Sequence, residues 1–149
     1  MAGITYYVDN YKFLIEPLNF NMQIELKNLL HYFTDIETQI IKNWLNEKNV
    51  LFARLYDKST TTIICFALIH KLDFDPYQKH KCPSYIDFIF TIPKFRRSGA
   101  ALELLKQLSN VKLELTTSIN IPESLKLFNK ANYKFMGKLN GCLILQSQN

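Results

Sequence analysis

The segment that most constrains the fold runs from Tyr85 to Leu108. Tyr85 to Ile92 is a nearly continuous apolar run with β propensity, and Asp87 is its only charged residue. Pro93 ends that run, and two arginines and Gly99 follow it. Ala101, Leu105 and Leu108 then recur at helical spacing to about Asn110. A buried strand, a turn and an amphipathic helix are therefore joined in direct succession. A single carboxylate in such a strand asks for a chemical or structural reason.

The rest of the chain supplies the layers around this unit. Lys12 to Glu16 reads as a first strand closed by Pro17, and Met22, Leu26, Leu29, Leu30 and Phe33 follow at helical spacing. Ile36, Ile40, Ile41, Trp44 and Leu45 form a second apolar stripe, capped by Thr34 or Asp35, and both stripes read as core. Val50 to Tyr56 and Thr62 to His70 are β-rich and separated by polar Asp57-Lys58-Ser59, which predicts an antiparallel pair. Asp73 to Pro83 is a polar loop. Val111 to Thr116 reads as a short strand, and Pro122 opens a helix that turns Leu125, Phe128 and Ala131 inward. Lys134 to Leu139 and Cys142 to Gln146 form a hairpin across Asn140-Gly141. The expected architecture is an α/β (α+β) domain over residues 1–149, with about seven strands and about four helices.

Composition excludes several classes. A chain of 149 residues can bury about two thirds of its unfolded surface without a metal or disulfide. Apolar runs such as Ile63 to Ile69 are too short to span a bilayer. Cys65, Cys82 and Cys142 are an odd number at irregular spacing, the pattern of a reduced compartment, so a cytoplasmic or nuclear location is expected. His80 and Cys82 share the loop, but no second ligand pair at metal-site spacing accompanies them. The net charge of +5 is scattered except at Lys79-His80-Lys81 and Arg96-Arg97, with no nucleic-acid-binding pattern. The abundance of Lys, Asn, Ile, Phe and Tyr is that of an AT-rich coding genome, viral or parasitic.

Arg96-Arg97-Ser98-Gly99-Ala100-Ala101 stands where a strand gives way to a helix. First-turn amides there have no intrahelical partner and bind phosphate well. Gly99 removes a side chain from the approach, Ala100 and Ala101 keep the turn open, and an arginine adds charge-assisted bonds. The same residues also suit an ordinary turn with a solvated arginine pair.

This segment resembles the signature of the GNAT superfamily of acyl-CoA N-acyltransferases: Arg or Gln, two residues, Gly, one residue, then Gly or Ala. Arg96, Gly99 and Ala101 match it. Ile89 to Phe95 is similar to the family's fourth strand and its terminal proline, and Leu127 to Tyr133 resembles its Leu-Tyr, basic residue and Gly-Phe segment. With the order of elements, the resemblance covers nearly the whole chain. It implies a mixed, mostly antiparallel sheet splayed between its fourth and fifth strands, with the pantetheine arm of acetyl-CoA in the gap. Main-chain groups of Ile89, Phe90 and Thr91 would hold pantetheine and thioester. Arg97, Ser98, Gly99, Ala100, Ala101 and Leu102 would cradle the pyrophosphate, with Arg96 beside them. An amine of a protein N-terminus, a lysine or a small molecule would attack the thioester, the protein acting as monomer or homodimer.

Family bases often sit on the fourth strand. Strict alternation puts Tyr85, Asp87 and Ile89 on one face, so Asp87 is the first candidate and Tyr85 the second, as in family members that pair a tyrosine with a histidine on the fifth strand. Thr116 takes that histidine's place here. A structural hydrogen-bonding role for Asp87 remains the alternative. The tyrosine that usually protonates the departing thiolate aligns with Phe128, which would still border the CoA. The asparagine that precedes its helix aligns with Ile121, one place beyond Asn120. Asn132-Tyr133 replaces Gly-Phe, and Asn tolerates the left-handed conformation. Two expectations follow: an N-acetyltransferase weakened by loss of the acid, or a GNAT-fold protein that binds acyl-CoA or a protein partner without turnover.

Overall fold

The computed structural model describes the whole chain except residues 1, 2, 20, 21, 48, 60, 72–82, 112, 114, 120, 121 and 149; of 23, 116, 122 and 123 it describes the backbone. The elements run β1 (Ile4–Val8), β2 (Tyr11–Pro17), α1 (Met22–Lys27), α2 (Asp35–Leu45), β3 (Val50–Asp57), β4 (Ile63–Lys71) and β5 (Ser84–Thr91). They continue through α3 (Ala100–Asn110), β6 (Leu115–Ile119), α4 (Pro122–Lys130), β7 (Tyr133–Leu139) and β8 (Cys142–Ser147). The strands form one sheet in the order β1-β2-β3-β4-β5-β6-β8-β7. The β5–β6 neighbours are parallel and the other pairs antiparallel.

Local chemistry sets several boundaries. Thr34 caps α2 in a reciprocal box: its Oγ1 accepts from the Glu37 amide at 3.2 Å and Glu37 Oε1 accepts from the Thr34 amide at 3.0 Å. Asp57 Oδ1 accepts from the Ser59 amide at 3.0 Å, closing the β3–β4 connection. Asn140 and Gly141 take φ of 52° and 81°, which matches the twist of the β7–β8 hairpin. Asn132 takes the left-handed φ of 67° expected of it.

Four expectations need correction. Among the described residues the sheet has eight strands, because Ile4–Val8 pairs with β2 as an N-terminal hairpin across Asp9 and Asn10. The strand placed at Val111 to Thr116 lies at Leu115–Ile119, since Val111 still caps α3. The first apolar stripe is a short helix ending at Lys27, followed by a separate turn of 3-10 helix at Leu30–Tyr32. In the second stripe only Ile41 and Trp44 are buried; Ile36 and Ile40 are 75% and 36% exposed, because the capping box starts the helix with Ile36 turned to solvent. The loop holding His80 and Cys82 lies outside the described residues.

The sheet is covered on both faces. On one, Phe13, Ile15, Ala53, Leu55, Ala67 and Ile86 pack against Leu104, Leu105 and Leu108 of α3 and Phe128 of α4. On the other, Phe52, Phe66, Leu68 and Phe90 meet Met22 and Leu26 of α1 and Ile41 and Trp44 of α2. Arg54, 3% exposed, projects into this second face and reaches Glu25 Oε2 of α1 at 2.8 Å and Glu16 of β2, while the Tyr56 hydroxyl donates to Glu25. Burial and that bond to a carboxylate raise the tyrosine's pKa. The Arg54 guanidinium also lies 4.5 Å from the Phe52 ring centre.

Removing one member of a buried ionic group leaves the others uncompensated. Glu16 and Glu25 keep 30% and 31% of their side-chain surface in water, which softens the loss. Arg54→Ala is therefore expected to lower the unfolding free energy by about 2–3 kcal/mol in urea titration. A value within about 0.5 kcal/mol of wild type, the range of ordinary surface changes, would show that the group contributes little.

Candidate functional site

The site begins with a break in main-chain pairing. β5 and β6 run side by side over Ser84↔Leu115, Tyr85↔Thr116 and Ile86↔Thr117, and no further. Beyond that point β5 continues to Thr91 against β4 alone, and β6 continues to Ile119 against β8 alone. At the same place the β4–β5 register slips: Leu68 faces Phe88 and Ile69 faces Ile86, so Asp87 is an extra residue in β5. The bulge and the parting of the strands coincide.

The bulge also corrects the expected faces. Ile86 and Ile89 both pack on the α3/α4 side, whereas Phe88 and Phe90 pack on the α1/α2 side. The extra residue shifts the alternation by one, so Ile89 does not share a face with Tyr85 and Asp87. Those two remain together, and both reach His70 on β4: Asp87 Oδ2 lies 3.3 Å from His70 Nδ1, and the Tyr85 and His70 ring centres are 5.6 Å apart. The Tyr85 hydroxyl bonds Ser118 Oγ across the β5–β6 pair. The Asp87 side chain is 27% exposed. Burial pushes its carboxyl pKa up to about 6, although His70 pulls in the opposite direction.

At the far end of β5 the expected turn into a helix is formed. Gly99 occupies the N-cap of α3 at φ 83°, ψ 8°, without a side-chain cap. The first intrahelical bond runs from the Glu103 amide to the Gly99 carbonyl at 3.0 Å, so the amides of Ala100, Ala101 and Leu102 precede the helix ladder. A Cβ on Gly99 would meet nothing within 4 Å, so the approach is open. Arg97 is itself left-handed at φ 64°. Arg96 folds back, its Nε donating to the Thr91 carbonyl at 3.1 Å with the guanidinium 5.3 Å from the Phe90 ring centre. Ser98 Oγ donates to the Phe95 carbonyl.

This turn borders a cavity of about 310 Å³ lined by Thr91, Arg96, Arg97, Ala100, Lys126 and Lys130, among others. The two lysines, one helical turn apart on α4, were not singled out in the sequence, where such spacing looks like a solvated face. Phe128 is instead buried in the core, 2% exposed and edge-on to Tyr133 at 5.0 Å. Asn120 and Ile121 lie outside the described residues, and of Thr116 only the backbone is described. His70 was also missed; near the polar end of an apolar strand it gave no sign of its carboxylate partner. Among the described residues, no three His, Cys, Asp or Glu side chains gather as metal ligands.

No protein-family model and no curated protein matches the sequence. Solved structures do match its shape. NAA60 of Arabidopsis thaliana, in complex with acetyl-CoA, superposes with a TM-score of 0.63 at 12% identity over 90% of this chain and 97% of that one. An aminoglycoside N(6')acetyltransferase of Legionella pneumophila gives 0.66 at 9% identity over 91% of each chain. A GNAT-family acetyltransferase of Listeria monocytogenes gives 0.62 at 14% identity over 97% and 99%. The chain has the GNAT fold.

Because one strand precedes the expected first, the fourth and fifth strands of the GNAT fold are β5 and β6 here, and they part after Ile86. The cationic cavity lies at the C-terminal end of β5 against α3 and α4, and the Asp87–His70 pair lies on the other face of the sheet. No helix among the described residues is long and apolar enough to cross a membrane.

Gly99 has space but an unfavourable φ for any other residue. Gly99→Ala should cost about 1–2 kcal/mol of stability through backbone strain alone, and Gly99→Asn less. Chemical denaturation of both variants checks this, and equal stability of Gly99→Ala and wild type would contradict the left-handed geometry.

Proposed function

We propose that this protein is an N-acetyltransferase that moves acetyl from acetyl-CoA to a primary amine of a protein N-terminus, a lysine or a small molecule. The observation that carries this reading is the parting of β5 and β6 at the Asp87 bulge, between a cationic cavity and a carboxylate–imidazole pair. The acetyltransferase activity named for the similar folds supports it, as does the acetyl-CoA bound to NAA60.

The residues present suit the co-substrate. CoA carries a pyrophosphate and a further phosphate; the cavity offers free amides at Ala100, Ala101 and Leu102, open space at Gly99, and Arg97, Lys126 and Lys130 around it. Arg96 braces the turn through Thr91 instead of reaching outward. Ile89, Phe90 and Thr91 offer main-chain groups along the edge that β6 leaves unpaired, matched to the amide-rich pantetheine arm. Acetyl-CoA supplies an acyl group already activated as a thioester.

The protein's task is then to orient an amine, accept its proton and exclude competing water. Asp87 stands at the bulge where the strands separate, and Tyr85 beside it is held by Ser118. The buried Phe128 offers no proton to the leaving sulfur. A thiol pKa near about 8.5 lets CoA depart as thiolate at neutral pH, so an acid helps without being required. Phe128 is also what favours a second reading, a binding protein without turnover.

Acetyl-CoA should raise the melting temperature by mass action, and Gly99→Glu, which places a carboxylate at the phosphate turn, should abolish the shift. A full shift in Gly99→Glu would move the site elsewhere. Transfer should rise with pH through about 6 as Asp87 ionises. Asp87→Asn should fold, keep the acetyl-CoA shift and lose roughly a hundredfold in turnover. If acetyl-CoA binds but wild type acetylates nothing in a broad peptide, polyamine and small-amine panel, the second reading replaces this one.

A further inference from the structure

The fold holds His70 firmly. Its ring lies between Trp44 of α2 and Tyr85 of β5, with centres 5.0 Å and 5.6 Å away, and its Nδ1 is 3.3 Å from Asp87 Oδ2. About a third of its side-chain surface is accessible. Together with Asn43, Trp44, Glu47, Lys71 and Asp87 it lines a cavity of about 300 Å³. This cavity lies on the α1/α2 side, away from the anion turn, so an amine entering it and a thioester lying in the strand gap would meet at Asp87 and His70. The cavity's aromatic wall and its Glu47 and Asp87 carboxylates suit an ammonium group.

We propose that the cavity beside α2 admits the amine and that His70 takes its proton, with Asp87 accepting a hydrogen bond from Nδ1–H, so that the base is an imidazole–carboxylate pair bridging β4 and β5. This rests on the acetyltransferase reading and assigns its proton acceptor. Asp87 fixes the tautomer that leaves Nε2 with its lone pair. Nε2 accepts one proton from R–NH3+, and the freed lone pair forms the C–N bond at the thioester carbonyl. The C–S bond breaks with its electron pair on sulfur, and the second amine proton goes to the thiolate, directly or through water. The imidazolium then returns its proton to solvent. The other titratable or charged groups around His70 are Tyr85 on β5, Glu47 just beyond the end of α2 and Lys71 on β4.

The test is the pH dependence of steady-state transfer for wild type, His70→Gln, Asp87→Asn and the double variant, at saturating acetyl-CoA. His70→Gln should lower kcat about a hundredfold, keep the acetyl-CoA melting shift and regain part of its rate with added imidazole. The double variant should be little worse than either single one, because the pair acts as a unit. If Asp87 acts alone, His70→Gln keeps a near-normal kcat and its acid limb moves to higher pH, because His70 now lowers the Asp87 pKa. That result overturns the proposal and leaves the acetyltransferase reading standing. A wild type that acetylates no amine overturns both.

Discussion

The functional account depends on one interruption in main-chain hydrogen bonding. β5 and β6 are joined from Ser84 to Ile86 and then separate, although both strands continue. Paired throughout, they would close the sheet and leave no path from one face to the other. Buried N–H and C=O groups rarely go without partners, so an opened strand edge from Asp87 to Thr91 calls for water or a ligand rich in amides. The bulge at Asp87 ties this edge to chemistry, because the residue that disturbs the register is also the only carboxylate of the strand.

The two packed faces hold the strands apart. Leu104, Leu105 and Leu108 of α3 anchor one face, and a group of aromatic rings around Phe66, Phe88 and Phe90 anchors the other. Phe33 inserts edge-on against Phe90 at 4.5 Å and Phe88 at 5.7 Å, tying the segment before α2 to β5. Arg54 links β2, β3 and α1 through Glu16 and Glu25. The turn at Gly99 thus stands at the end of a strand fixed on both sides.

What could be read from the sequence was local. The strand–turn–helix at Gly99, the cap of α2 at Thr34, the Asn140-Gly141 hairpin and the left-handed Asn132 each depend on residues a few places apart, and each formed as expected. The misses were nonlocal or ambiguous. The bulge depends on β4–β5 register, which no single strand encodes, and it turned Ile89 to the opposite face from Asp87. His70 becomes notable only when paired with a residue from the next strand. Lys126 and Lys130 look like ordinary solvated charges until α4 is placed beside α3. The N-terminal hairpin did carry a local sign, since Ile4 to Val8 is rich in β-branched and aromatic residues before a two-residue Asp9-Asn10 turn.

The central claim is that acetyl-CoA enters between β5 and β6 with its pyrophosphate on α3. A crystal structure of the protein with CoA tests it most directly. The account predicts phosphate oxygens on the amides of Ala100, Ala101 and Leu102, Lys126 or Lys130 against the same anion, and the pantetheine along Ile89 to Thr91 with its sulfur pointing toward Asp87. CoA bound on another surface, with β5 and β6 hydrogen-bonded to each other past Ile86, would contradict it.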